Sequence, residues 1–178
     1  HLAWNLNINP NLLEVKYDEK NALFFIESDL MKRKDVTSVK DALNGYQKGK
    51  CFYSFKDLRL KENLNCDVDH VLPHLNKSSH YYSKYPANIN GVWNLVLADK
   101  DINRHEKRAK FPAKKYMERL CRRNEYYITS KHPLAETIIN QTGKTAAERL
   151  NFLNFHWNIA KENCVIEFSA FELAENKF

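Results

Sequence analysis

Residues 66–73 read CDVDHVLP and residues 90–107 read NGVWNLVLADKDINRHEK, and the two stretches belong to one unit. The first puts the Asp69 carboxylate directly beside the His70 imidazole at the end of a β-like run. Pro73, lacking an N–H, forbids further ladder pairing beyond it. The second stretch is an apolar strand, Val92 to Ala98, that runs into a polar helix start at Asp99 or Asp101. Strand, loop, strand and helix predict a ββα hairpin whose two ends bring Asp69, His70, Asn94 and Asn103 together. Oxygen donors with one imidazole suit a hard divalent cation such as Mg²⁺ and leave the imidazole to take a proton from water. That is chemistry suited to hydrolysing a phosphodiester.

The rest of the composition is compatible with such a unit. A chain of 178 residues with 43% hydrophobic and 12% aromatic content can bury a core. Its longest apolar run, Ala22 to Ile26, is five residues, against the roughly 20 needed to cross a bilayer. No membrane partner is expected. Cys51, Cys66, Cys121 and Cys164 form no CxxC pair, which argues against a disulfide framework and for a reducing, cytoplasmic setting. The chain starts at His1 with no charged-then-apolar leader, as a piece of a longer parent would. Of the net charge of +6, the segment Lys100 to Arg123 supplies more than all, with ten Lys or Arg against three acidic residues. A basic face beside the site points to a polyanion, although a solvated helix face would look the same.

The chain divides into an N-terminal segment (1–48), the hairpin unit (49–112) and a helical region packed on it (113–178). In the first, Leu13 to Tyr17 and Leu23 to Glu27 read as a hairpin around a turn at Asp18 to Asn21, and 29–34 as a charged link. Val36, Val39, Leu43 and Tyr46 fall at helical spacing, predicting a helix over 35–46 ended by Gly45 and Gly49. Cys51 to Phe55 is aromatic and strand-like. His74 to Asn90, with His74 and His80, is a long loop of the kind that is functional or mobile. Helices follow over 113–127, 133–141 and 145–162, the last opened by a capping box at Thr145 to Glu148. Val165 to Phe168 reads as a final strand. Gly143-Lys144-Thr145 is no phosphate loop, because Ile138 stands where its first glycine is required.

The motifs DVDHVLP, VWNLVLAD and KDINRHEK, in that order, resemble the HNH endonucleases, the family of the ββα-metal fold, including McrA-like restriction enzymes and the HNH domains of RNA-guided CRISPR nucleases. The resemblance covers about residues 49–112 and implies an α+β fold with a ββα-metal motif embedded among helices. It implies that His70 is the general base, that Asp69 and Asn103 hold one Mg²⁺ or Mn²⁺, and that Asn94 pins the loop carrying the base. Arg104, Lys107 and Arg108 would contact phosphates, and His105 would add a metal or phosphate contact. The substrate implied is DNA, cut to 5′-phosphate and 3′-hydroxyl ends, in restriction or phage defence, with delivery by a parent protein or a guide complex.

An ordinary imidazole titrates near about 6.5, so His70 is available as a base at neutral pH. Alternation along a strand sends Asp69 to the face opposite Val68 and His70 unless the strand ends there, and Pro73 allows such an end. Many members hold the hairpin with four cysteines around zinc. Here those positions are Cys51, Ser54, Asp99 and Ile102, which cannot form a tetrathiolate site. No structural zinc is expected, and packing by Phe52, Tyr53, Phe55 and Trp93 takes its place. Two alternatives stand beside the nuclease: a non-catalytic nucleic-acid-binding module and a ribonuclease using the same site.

Overall fold

A computed structural model describes residues 15–21, 23–27, 33–60, 65–73 and 87–173, with the backbone alone at 17, 24–27 and 33–38. The architecture is mixed helix and strand, with small sheets packed by helices. Strands β1 (Lys16–Asp18), β2 (Leu23–Glu27) and β3 (Arg33–Ser38) form one antiparallel sheet in that order. The β1–β2 hairpin matches its sequence pattern, and the Asp18 carboxylate accepts the Asn21 N–H at 3.1 Å to close the turn. The helix expected from residue 35 does not begin there. Residues 33–38 pair with β2, and helix α1 (Val39–Gln47) starts only after them. Val36 and Thr37 are β-branched, and an open strand edge satisfies their backbone groups better than a helix start would. Helix α1 also runs through Gly45, ending where Lys48 and Gly49 take φ of 50° and 77°.

The site is carried by β4 (Cys66–His70) and β5 (Leu95–Asp99), antiparallel from Cys66↔Asp99 to His70↔Leu95. All five residues of β5 are buried, which is why it reads as a continuous apolar run rather than an alternation. Among the described residues its outer edge has no third strand; side chains and a turn cover it instead. The Gln47 amide accepts the Leu97 N–H and donates to the Leu97 carbonyl, both at 2.8 Å, and the Phe52 N–H reaches the same carbonyl at 2.9 Å. Strand β5 begins later than expected, because Val92–Asn94 is a turn of 3₁₀ helix. A side chain at Gly91 would meet Gln141 and the Trp93 ring at 2.6 Å, so the close approach there requires glycine.

The aromatic run expected as a strand at 51–55 is a compact turn. The Cys51 N–H bonds the Lys56 carbonyl, the Phe55 N–H bonds the Cys51 carbonyl, and Phe55 has φ of 63°. A turn, unlike a strand, sends Phe52, Tyr53 and Phe55 all inward, and all three are buried. After β5 the chain becomes helical, and Ile102–Lys107 is wound as a wide π-type turn closed by the Arg108 N–H on the Asn103 carbonyl. Strand β6 (Phe111–Pro112) then pairs in parallel with β7 (Glu167–Phe168).

Helices α2 (Lys114–Thr129), α3 (Ala135–Thr142) and α4 (Ala146–Asn163) lie close to their expected spans. The Thr145–Glu148 capping box is formed in both directions. Tyr116, Leu120 and Tyr127 of α2 are buried, as their spacing predicts, while Leu150 of α4 is exposed and Leu153 and Ile159 face inward. Among the described residues no helix is long and apolar enough to cross a membrane.

Buried His156 of α4 packs against Phe152, with ring centroids 4.4 Å apart, and against Trp93 at 6.4 Å. Burial lowers its pKa from 6.5 to about 4. The unfolded chain therefore binds the proton first on acidification, so this stabilisation is complete above the unfolded pKa and is lost as pH falls from 6.5 towards 4. His156→Phe should flatten the pH dependence of stability in that window by about 1 kcal/mol per pH unit. Thermal melts of both proteins at pH 7 and pH 5 check this; an equal drop in both would remove His156 as the cause.

Candidate active site

The β4–β5 pairing stays regular through His70, so the strand does not break at Asp69. Asp67 and Asp69 point to one face of the ribbon and Cys66, Val68 and His70 to the other. The acidic face meets the helical turn 102–107. There the Arg104 guanidinium takes Asp67 in a two-pronged ion pair, Nε to Oδ2 at 2.9 Å and a terminal nitrogen to Oδ1 at 3.1 Å. Asn103 donates to the same carboxylate at 3.4 Å. Asp69, one step further along the face, is buried. Its Oδ2 accepts the Tyr53 hydroxyl at 2.5 Å and lies 3.0 Å from the Lys107 amine, which also donates to the His70 carbonyl at 2.6 Å. Burial first, and the Asp69 charge second, push the Tyr53 phenol well above its usual pKa. It therefore remains protonated and can only donate to Asp69 through its hydroxyl.

Asn94 is fully buried and grips the segment after His70. Its Oδ1 accepts the Leu72 N–H at 2.8 Å, and its Nδ2 donates to the Leu72 and Ile89 carbonyls at 3.0 Å each. The Asn94 carbonyl takes the Val71 N–H at 2.9 Å. A small amide at the mouth of β5 thus fixes both the exit from His70 and the return of the chain at Ile89. The remainder of the expected loop, including His74 and His80, lies outside the described residues.

Comparisons of the chain with protein-family models, curated proteins and solved structures returned no match.

Two expectations need correction. Lys107 is not a surface phosphate contact: its side chain is 1% exposed and its amine is spent on Asp69 and His70. The basic count over 100–123 also overstates the charged face. Arg119 is buried, donating to the Phe52 and Tyr53 carbonyls and pairing with Glu172 at 3.0 Å. Arg123 is buried against the carbonyls that lead into β5. Both guanidiniums hold the fold. Arg104, His105 and Arg108 are exposed, so a cationic edge persists beside the acidic face.

Asp69 and Asn103, expected to share a metal ion, lie on the same side of the site but are engaged separately, Asn103 by Asp67 and Asp69 by Lys107. Asp67 and Tyr53 carry no motif signal of their own. The alternation of DVD does place Asp67 beside Asp69, whereas nothing in the sequence ties Tyr53 to it. The donor set of two carboxylates and an amide is all hard oxygen and fits Mg²⁺ or Mn²⁺ in kind. Among the described residues, no group of three or more His, Cys, Asp or Glu gathers as a metal site. The Cys51 sulfur accepts the Asp99 N–H at 3.3 Å and the Ser54 carbonyl accepts the Leu173 N–H at 3.0 Å.

Proposed function

We propose that the chain is an HNH-type, metal-dependent endonuclease acting on DNA. The observation that supports this most is the hairpin itself: an Asp-His pair ending one strand, with a buried asparagine at the foot of the other clamping the segment that follows the histidine. Such a clamp fixes the position of an imidazole far better than a surface loop does, and general-base catalysis depends on that geometry. His70 takes the proton from the attacking water. Asp69 and Asn103 hold Mg²⁺ or Mn²⁺, which when bound supplies charge stabilisation at the phosphate. Arg104 and Arg108, on the exposed edge, contact flanking phosphates. A parent protein or guide complex delivers the site to its target in restriction or phage defence.

A non-catalytic nucleic-acid-binding module is the rival, and two observations favour it: the carboxylate meant for the metal already has a cation, Lys107, and the regular β4–β5 pairing sends His70 to the face opposite Asp69. Incubation of supercoiled plasmid, and separately of RNA, with Mg²⁺ or Mn²⁺ and with EDTA separates the readings. The nuclease reading expects EDTA-sensitive DNA cleavage. Binding to DNA without cleavage under any divalent ion would establish the rival, and cleavage of RNA alone would reassign the substrate.

A further inference from the structure

We propose that Lys107 is a resident counter-cation of Asp69 that a divalent metal ion must displace, so that metal-free protein keeps its carboxylate closed. The inference rests on the endonuclease reading and names how that site is controlled. The two carboxylates of the acidic face are guarded differently. Asp67 is held by Arg104, whose side chain is 60% exposed, and an exposed ion pair of this kind yields easily to a competitor. Asp69 is held by a buried amine that approaches both its oxygens, at 3.0 and 3.3 Å, while Tyr53 occupies Oδ2 from another direction.

Lys107 cannot stay while a divalent ion binds Asp69. Three positive charges would then face one buried carboxylate at hydrogen-bond distance, in surroundings that screen them poorly. The lysine has somewhere to go: it is the last residue of the π-type turn, directly before Arg108, where the chain leaves the helix with φ of 46°. Its four-carbon stem lets the amine swing out without unwinding the turn. The aromatic wall beside it, the Tyr53 ring 5.8 Å from the amine, stays with Asp69 through the hydroxyl bond.

The wild-type chain itself provides the test. Amine-reactive labelling read by mass spectrometry should leave Lys107 nearly unmodified in EDTA and raise its labelling about tenfold in saturating Mn²⁺, relative to exposed Lys114. In parallel, Mn²⁺ binding by calorimetry should tighten about tenfold in Lys107→Gln, which keeps a donor for the His70 carbonyl but carries no charge. Asp69→Asn should abolish that binding. If calorimetry shows Mn²⁺ bound through Asp69 while Lys107 stays unlabelled, the displacement is wrong and the nuclease reading survives. If wild type and Lys107→Gln both bind no Mn²⁺, the metal site and this inference fall together.

Discussion

Replacing His70 with alanine should lower single-turnover DNA cleavage by roughly 10²- to 10⁴-fold, the range for loss of a positioned general base. The strand ladder at residue 70 should survive, because it is made by the backbone. His70 pairs with Leu95 in the β4–β5 ladder, and its carbonyl accepts the Lys107 amine. Alanine keeps both. The Asn94 clamp acts on Val71, Leu72 and Ile89, so it is untouched by the change. DNA affinity should also stay near wild type, since the exposed cations Arg104 and Arg108 lie on a different element. Rapid-quench cleavage in Mg²⁺, alongside circular dichroism melts, separates loss of chemistry from loss of fold. A folded His70→Ala protein cutting at the wild-type rate would end the assignment of the base.

Much of the unit was legible in the sequence because its signals are local. The NLVLA run marks a strand buried on both faces, and β5 is one. The capping box at Thr145 starts α4 by hydrogen bonds within four residues, without need of a distant contact. Other features depend on partners far along the chain. Val36 falls at helical spacing with Val39 and Leu43, yet the edge of β2 claims residues 33–38. The charges of Arg119 and Arg123 look like surface in a one-dimensional count, and only the approach of α2 to the hairpin turns them inward. The phosphate role of Lys107 came from the resemblance alone. The π-type winding of 102–107, which a resemblance of motifs does not convey, carries the Lys107 side chain to Asp69.

Arg123 yields the largest expected effect on stability. Its guanidinium is fully enclosed and donates to three carbonyls in succession: Val92 at 3.2 Å, Trp93 at 2.6 Å and Leu95 at 2.8 Å. These flank Asn94, so one side chain of α2 ties down the turn from which the clamp on the His70 segment is built. Burial lowers the Arg123 pKa, yet a guanidinium so far above neutrality stays charged and keeps all its donors. The Tyr127 ring, 5.3 Å from the guanidinium carbon, adds a cation–π contact. Arg123→Met fills similar space but takes a donor from each of three buried carbonyls, at about 1–3 kcal/mol for any group left unsatisfied. The Trp93 carbonyl keeps the Asn124 amide at 3.2 Å and the Val92 carbonyl keeps the Leu95 N–H, so the Leu95 carbonyl is the one most exposed to the loss. The expected loss is about 3–5 kcal/mol in urea unfolding, whereas Arg122→Ala on the exposed side of the same helix should cost about 0.5 kcal/mol or less. Arg123→Lys restores the charge without the planar fork and should recover only part of the loss. Were Arg123 instead a DNA contact, as charge counting suggests, Arg123→Met would keep the wild-type unfolding midpoint and flatten the salt dependence of DNA binding. That pair of results would move Arg123 from the fold to the interface.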